Sequence, residues 1–307
     1  MDERGRREQL LAGAEILLYG STMASTEDVV VRAMTNDHAF RVVAAATTHA
    51  GREIVARQRV SGEAAKALAG IATGAVLLRE TMAPNLRVQG ILRGGGGKGT
   101  LVGDSFPDGS VRGLAQLKGE RTAFSLGPGS LMQMMRTLVR GGVQQGIVDV
   151  GQAGGIGEAI TAYFHESEQL VCLARVGSRW NGDELVAAGG FVVQLLPEAE
   201  RPAHMIMTQR LEDLPPIDEW LERPDFSADL LIGELCHAMP FTELARSPVF
   251  FSCRCDEAAV LASLSTLGQA DLQEMIDDGK GLEIDCDYCG RSFLIEVERL
   301  RALLDKS

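Results

Sequence analysis

The sequence lacks the features of a membrane protein or a nucleic-acid-binding protein. No apolar run approaches the roughly 18 residues that a membrane-spanning helix needs, and Glu15 interrupts the most hydrophobic stretch near the N-terminus. The 307 residues carry a formal net charge of −12, so the chain has no excess of Lys and Arg for binding phosphates. The first 20 residues show no basic region followed by a cleavage site. We therefore predict a cytoplasmic protein with neither a membrane partner nor a nucleic-acid partner.

Catalytic motifs are also scarce. The five histidines form no H-E-x-x-H pair, and no G-x-S-x-G motif is present. Gly94, Gly96 and Gly99 satisfy G-x-G-x-x-G, but the next segment has the pattern of a hairpin, whereas a dinucleotide site needs a helix there. Lys98 is followed by glycine instead of the Ser or Thr of a P-loop. We therefore predict no nucleotide cofactor, and we predict that the chain is not an enzyme.

The acidic residues are concentrated in the C-terminal third of the chain. Residues 1–197 have 20 Lys and Arg against 19 Asp and Glu, whereas residues 198–307 have 10 against 23. This change in charge balance, in a chain too long for one ordinary domain, predicts several structural units. We divide the chain into an N-terminal extension (1–26), a β-rich core domain (27–197), an acidic metastable linker (198–252) and a C-terminal zinc-binding unit (253–307).

Glycine and valine patterns predict the core domain. Nineteen of the 35 glycines lie between Gly90 and Gly157, which indicates strands joined by tight turns. Apolar runs flank Asn36-Asp37, Asp108-Gly109 and Gly141-Gly142, so each of these pairs is expected to form a hairpin turn. Ser61 opens a long segment with helical spacing. The predicted fold class is α+β, with a mostly antiparallel β core domain and packed helices.

The predicted linker has a different composition. Residues 198–252 contain six prolines, 11 acidic residues and only four basic ones, interrupted by apolar patches such as IDEWL and LLIGELCHAMPF. We interpret this segment as an amphipathic connector that packs reversibly on the sheet. In the N-terminal extension, a helical period covers residues 9–19, but its role cannot be inferred from the sequence.

Four of the six cysteines form a motif. Cys253 and Cys255 form C-x-C, and Cys286 and Cys289 form C-x-x-C, with Gly290 suited to the turn that aims the second pair. Two close pairs of soft ligands are the pattern of a structural zinc site, and a unit of 55 residues usually needs such a staple. We therefore predict one zinc ion. The alternative is four buried thiols without a ligand.

The rest of the C-terminal unit and the other two cysteines are read from local pattern. We predict two short helices, a cysteine turn, a strand at SFLIE and a final helix. Cys172 and Cys236 stand alone in apolar segments, so both are expected to be buried as small apolar side chains, and the sequence assigns neither a function.

The four cysteines of the motif lie within the segments FFSCRC and CDYCGRSFLIE, and the core contains YFHESEQ, GDSFPDGSVRG and AAGGFVVQLLP. Together these segments resemble the redox-regulated holdase chaperones, a cytosolic heat-shock family also called the 33 kDa chaperonin. The resemblance covers about residues 27–300. Leu114 and Asp256 depart from residues common in the family, and residues 1–25 have no counterpart.

The resemblance implies an ATP-independent holdase controlled by oxidation. In the reduced state, four thiolates hold zinc and the chaperone is inactive. Oxidation is implied to join Cys253 with Cys255 and Cys286 with Cys289, to release zinc and to expose a surface that binds unfolded proteins. The acidic charge then keeps complexes with these clients soluble. The resemblance also implies a homodimer of the oxidised form.

Two other functions remain open from the residues alone. One is a thiol-disulfide oxidoreductase that uses Cys286 and Cys289, although such enzymes place C-x-x-C at a helix N-terminus and the flanking segments here have the pattern of strands. The other is an interaction protein stapled by zinc, with no response to oxidation.

Overall fold

The computed structural model describes residues 27–304, so the predicted extension and the helix predicted over residues 9–19 lie outside the described residues. Within that range the chain forms 13 strands and nine helices with mainly antiparallel sheets, which confirms the predicted α+β class. None of the helices in residues 27–304 has the length and apolar character needed to cross a bilayer.

One sheet has five antiparallel strands. They are β1 (Val29–Thr35), β2 (Phe40–Ala46), β8 (Cys172–Asn181), β9 (Glu184–Leu195) and β10 (Phe241–Pro248), in the spatial order β10-β1-β2-β9-β8. The turn at Asn36-Asp37 joins β1 to β2, as predicted. The sequence pattern did not predict β10, which comes from the acidic segment and pairs with β1. Side chains on both faces of its central strands β2 and β9 are buried, because helices cover each face.

The second sheet has six strands. They are β3 (Val88–Arg93), β4 (Gly99–Ser105), β5 (Ser110–Leu117), β6 (Leu131–Thr137), β7 (Val143–Asp149) and β11 (Phe250–Phe251), in the order β11-β5-β4-β3-β6-β7. The predicted turns at Asp108-Gly109 and Gly141-Gly142 join β4 to β5 and β6 to β7. The two residues of β11 pair parallel with β5 and bring the chain from the linker to the first cysteine pair.

A long helix fills the space between the two sheets. The core helices are α1 (Thr48–Gln58), α2 (Gly62–Met82) and α3 (Ile156–Glu166). Helix α2 follows Ser61, as predicted, although the Ser61 side chain makes no capping hydrogen bond. Most of α2 is buried on all sides because it packs against strands of both sheets. Small residues make this approach possible, and at Gly103 of β4 an added Cβ would overlap the carbonyl oxygen of Ile71.

We expect Gly103→Ala to destabilise the core, because the strand and α2 must move apart to admit one methyl group. Overpacking of this kind costs about 1–3 kcal/mol. Urea unfolding of the reduced protein measures the change. Gly127→Ala is the matched control, since no atom lies within 4 Å of its added Cβ. Equal stability of the two variants would contradict the close approach of α2 to β4.

The acidic segment folds onto the outer face of the five-stranded sheet. It forms α4 (Arg201–Asp213), α5 (Ile217–Leu221) and α6 (Ala228–Leu235) before entering β10. Helix α5 contacts β8 and β9, and α6 contacts β1 and β2. Met207, Trp220 and Leu231 from these helices share one buried cluster with outward-facing side chains of the sheet, among them Phe40 and Phe191.

The C-terminal unit has its own small apolar core. It contains α7 (Glu257–Leu264), α8 (Gln269–Asp277), β12 (Leu282–Asp285), β13 (Ser292–Ile295) and α9 (Val297–Leu304). The predicted helices, cysteine turn and SFLIE strand are therefore present, and β12 is an additional strand paired with β13. Asp256 caps α7, because its carboxylate accepts a hydrogen bond of 2.7 Å from the Ala259 N–H. The buried residues of this core cluster are Leu264, Ile276, Ile295 and Leu300, and Leu272 of α8 is buried as well.

Candidate metal centre

The fold brings the four predicted thiols together. Cys253 and Cys255 follow β11 at the edge of the six-stranded sheet, while Cys286 and Cys289 lie in the turn between β12 and β13. The four sulfur atoms all lie within 4.8 Å of one another. Residues separated by about 30 positions therefore form one cluster, as the spacing predicted.

The turn between β12 and β13 orients the second pair. The carbonyl oxygen of Cys286 accepts hydrogen bonds from the N–H groups of Cys289, at 3.3 Å, and Gly290, at 2.7 Å. Gly290 has a φ of 70°, a left-handed conformation in which a side chain is strained. Strands flank the C-x-x-C on both sides, as predicted, so Cys286 does not lie at a helix N-terminus of the kind that activates the thiol in disulfide oxidoreductases.

The sulfur positions fit a tetrahedral zinc site. A Zn–S bond of about 2.3 Å places the sulfurs of a regular tetrahedron about 3.8 Å apart. The distance between the sulfurs of Cys253 and Cys286 is 3.7 Å, and that between Cys255 and Cys289 is 3.3 Å. All six cysteines are free thiols, and a set of four soft donors is the set that structural zinc prefers.

The electrostatics of the cluster also favour a cation. Burial raises the pKa of the Cys255 and Cys286 thiols. Hydrogen bonds with neighbouring thiols raise the pKa of Cys255 further, whereas hydrogen bonds from the Cys289 and Tyr288 N–H groups offset part of the effect on Cys286. Burial acts in the same direction on Cys253, but hydrogen bonds from Cys255 and from the Arg112 guanidinium outweigh it and lower its pKa. Arg112 Nη1 lies 3.8 Å from Cys253 Sγ. Four thiolates this close repel one another, so their joint ionisation needs a positive charge among them.

The two remaining cysteines lie outside the cluster. Cys172 in β8 and Cys236 after α6 are both buried, as predicted. Burial raises the pKa of Cys172 to about 12 and that of Cys236 to about 11. Neither thiol is therefore ionised to a useful extent near neutral pH.

The glycine motif does not form a nucleotide site. Gly94, Gly96 and Gly99 lie at the turn between β3 and β4, and strand β4 begins at Gly99. This agrees with the sequence-based interpretation that a hairpin follows the motif. A pyrophosphate site of the dinucleotide type requires a helix N-terminus at this position.

Arg254 of the cysteine unit and Arg112 of the core link the two parts of the molecule, and sequence reasoning predicted neither contact. Arg254, between the first two cysteines, forms an ion pair of 2.6 Å with Asp108 and lies over the Phe106 ring. Arg112 of β5 reaches both Cys253 and the ring of Tyr288. Phe106, Asp108 and Arg112 lie in the segment GDSFPDGSVRG, which we used for the family resemblance alone.

Fold and site together define an α+β protein with two large sheets and a small C-terminal unit that contributes to a cluster of four thiols. A profile of the family described as Hsp33 protein matches residues 28–296. The chain belongs to the Hsp33 family, which confirms the resemblance.

Curated relatives agree with this assignment. The chain is 28% identical over 294 residues to the 33 kDa chaperonin of Geobacillus kaustophilus, covering 91% of this chain and 99% of that protein. It is 26% identical over 293 residues to the 33 kDa chaperonin of Staphylococcus carnosus, covering 92% and 99%. These relatives are named chaperonins rather than enzymes, in agreement with the prediction that the chain is not an enzyme, and the family supports a chaperone role.

A solved structure shares the fold. The crystal structure of the 33 kDa chaperonin (heat shock protein 33 homolog) from Thermotoga maritima matches with a TM-score of 0.74, covering 91% of this chain and 98% of that one. The two sequences are 21% identical, so this likeness concerns the fold alone.

Proposed function

We propose that the chain is an ATP-independent holdase whose activity is switched on by oxidation of the four clustered cysteines. The observation that carries the proposal is the cluster itself, four free thiols within 4.8 Å, in a chain of the Hsp33 family whose relatives are named 33 kDa chaperonin. Cys253, Cys255, Cys286 and Cys289 would hold one zinc ion in the reduced state. When bound, zinc supplies folding free energy, about 10–16 kcal/mol in comparable small units.

The small unit depends on that contribution. The buried leucine and isoleucine side chains of the unit are Leu264, Leu272, Ile276, Ile295 and Leu300. They are few for a unit of this size, so its own core supplies little stability. A thiolate attacks one oxygen atom of hydrogen peroxide and becomes a sulfenic acid, while the O–O bond breaks and the other oxygen leaves as hydroxide. A second thiol then displaces water from the sulfenic acid, which leaves a disulfide. A disulfide sulfur is no longer an anionic ligand, so oxidation removes both the metal site and the stability that it provides.

Loss of order in the unit extends to the linker through the chain. Strand β10 is separated from β11 by one residue, and β11 leads within two residues to Cys253. Release of α4, α5 and α6 would uncover the outer face of the five-stranded sheet, where Phe40 and Phe191 are now buried. A large apolar face of this kind binds unfolded clients, and the acidic linker keeps the complex in solution.

The remaining parts of the proposal concern the surroundings of the protein. A reducing cytoplasm would keep the four thiols free and the chaperone inactive until stress supplies an oxidant. The clients are unfolded or partly folded proteins. Association of two oxidised chains into a homodimer is part of the proposal through the family resemblance alone.

Light scattering of a heat-unfolding client tests the proposal. We expect the reduced, zinc-loaded protein to leave aggregation unchanged and the peroxide-treated protein to suppress most of it at equimolar concentration. The matched control is Cys172→Ala, which removes a buried thiol outside the cluster and should switch like the native chain. If neither redox form suppresses aggregation, the proposal is wrong and zinc is only a staple. Turnover in an insulin reduction assay would instead support an oxidoreductase.

Peptide mapping of the oxidised protein supplies a second readout. We propose the local pairs Cys253 with Cys255 and Cys286 with Cys289, which the family resemblance implies and which leave the two cysteine pairs free to separate. In the reduced structure, sulfur atoms of different pairs also lie close together, at 3.7 Å between Cys253 and Cys286 and 3.3 Å between Cys255 and Cys289. Disulfides between the two pairs would close a long loop and stabilise the unit. Recovery of these cross-linked pairs in an active sample would contradict the proposed unfolding step.

A further inference from the structure

The cysteine turn contacts the core domain through groups other than its sulfur atoms. The Gln58 side chain, at the end of α1, donates hydrogen bonds from Nε2 to the carbonyl oxygens of Asp287, at 2.7 Å, and Tyr288, at 3.0 Å. Its Oε1 accepts a hydrogen bond of 2.9 Å from the N–H of Ala115 in β5. Gln58 is only 5% exposed. Because these three hydrogen bonds use both the NH₂ group and the oxygen of its buried amide, they fix the orientation of the side chain.

The side chain of Tyr288 occupies a second position on the core. The guanidinium carbon of Arg112 lies 3.9 Å from the centre of the Tyr288 ring, and Gln89 Nε2 lies 3.4 Å from the ring hydroxyl. Asp104, which is completely buried, holds Arg112 with an ion pair of 2.9 Å and holds Arg87 with one of 2.7 Å. The cation therefore has a fixed place over the ring, which favours a cation–π contact.

These contacts depend on the backbone shape of the turn. One NH₂ group binds two successive carbonyl oxygens only when both point to the same side, which the turn closed by Cys286 and Gly290 provides. A disulfide between Cys286 and Cys289 needs sulfurs about 2.05 Å apart and a different arrangement of both side chains. A turn rebuilt in this way no longer presents both carbonyls and the Tyr288 ring to the same positions of the core.

We propose that Gln58, Arg112 and Gln89 form a receptor on the core domain that binds the Asp287–Tyr288 turn only in its metal-competent conformation. Docking there holds the cysteine unit, and with it β11, against the six-stranded sheet. The regulatory consequence rests on the proposed function: the receptor sets how readily oxidation of the cysteines releases the linker. Gln58 and Tyr288 are positioning residues in this scheme, since neither supplies a thiol.

Hydrogen exchange of the reduced, zinc-loaded protein tests the receptor directly. Tyr288→Leu removes the ring from Arg112, whereas the matched control Tyr288→Phe keeps the ring and loses only the hydroxyl. We expect exchange at Phe250 and Ser252, whose N–H groups bond to the core at Gly109 and Val111, to rise about tenfold in Tyr288→Leu. Tyr288→Phe should stay within about threefold of the native chain. Zinc stoichiometry and the urea midpoint of the core should not change.

A second variant tests the amide. Gln58→Glu keeps an acceptor for the Ala115 N–H but places a carboxylate oxygen against the two carbonyl oxygens of the turn. Because acceptors then face one another, we expect hydrogen exchange at Phe250 and Ser252 to rise and activation by peroxide to become faster. Native exchange rates in both Tyr288→Leu and Gln58→Glu would overturn the proposal. Loss of zinc binding in Tyr288→Leu would overturn it too, because the ring would then belong to the metal site. If the native oxidised protein fails to suppress aggregation, the proposed function is wrong. The exchange rates of the reduced protein still test whether the core domain binds the Asp287–Tyr288 turn.

Discussion

Replacement of Cys286 with serine is expected to abolish tight zinc binding and to unfold the C-terminal unit. Serine keeps the size of the side chain but removes a soft anionic ligand from a cluster of four. If the four ligands share about 10–16 kcal/mol equally, zinc affinity falls by about a hundredfold or more. Competition with a chelator measures the affinity, and hydrogen exchange over residues 257–304 measures the loss of structure.

The control for this prediction is Cys172→Ala. Cys172 is buried in β8 and lies outside the cluster, so its variant should bind one zinc ion with native affinity. Full zinc stoichiometry and affinity in Cys286→Ser would contradict the ligand assignment. A stable C-terminal unit in the metal-free variant would show that the apolar cluster around Leu300 suffices without a metal.

The parts of the site that could be predicted are those with short-range signals. Two cysteines separated by one or two residues lie close together in any fold, and Gly290 follows them where a left-handed turn is needed. The spacing therefore predicted the cluster of four thiols. Gln58 carries no such signal, because it meets Asp287 only after α1 and the cysteine turn, 229 residues apart, are folded against each other.

The edges of the sheets were the least predictable part of the fold. Strand β10 has mostly exposed side chains and the sequence FTELARSP, so no alternation of apolar and polar residues marked it as a strand. It forms because the free edge of β1 offers backbone hydrogen bonds along its length. The central strands β2 and β9 were visible because both of their faces are buried, which demands long apolar runs.

Truncation of one linker side chain is expected to activate the reduced protein in part. Met207 is 1% exposed and lies with Ala203 and Leu211 on the face of α4 that packs into the cluster beneath the linker. Removal of a buried methionine side chain costs about 2–5 kcal/mol. The open state of the linker would then be populated about thirtyfold more, or further. Zinc-loaded Met207→Ala should therefore suppress client aggregation measurably without peroxide.

Met205→Ala is the matched control, since Met205 lies two residues away in the same helix and is 70% exposed. The two variants change helix propensity equally and differ only in the buried contact that is lost. Faster hydrogen exchange in α4 of Met207→Ala, together with no suppression of aggregation, would show that the sheet face under the linker is not the client surface. If Met207→Ala suppresses aggregation and retains zinc, and Met205→Ala does not suppress it, opening of the linker is separable from oxidation of the cysteines. The linker would then be the cover of the client surface, and the four cysteines would act only by deciding when that cover opens.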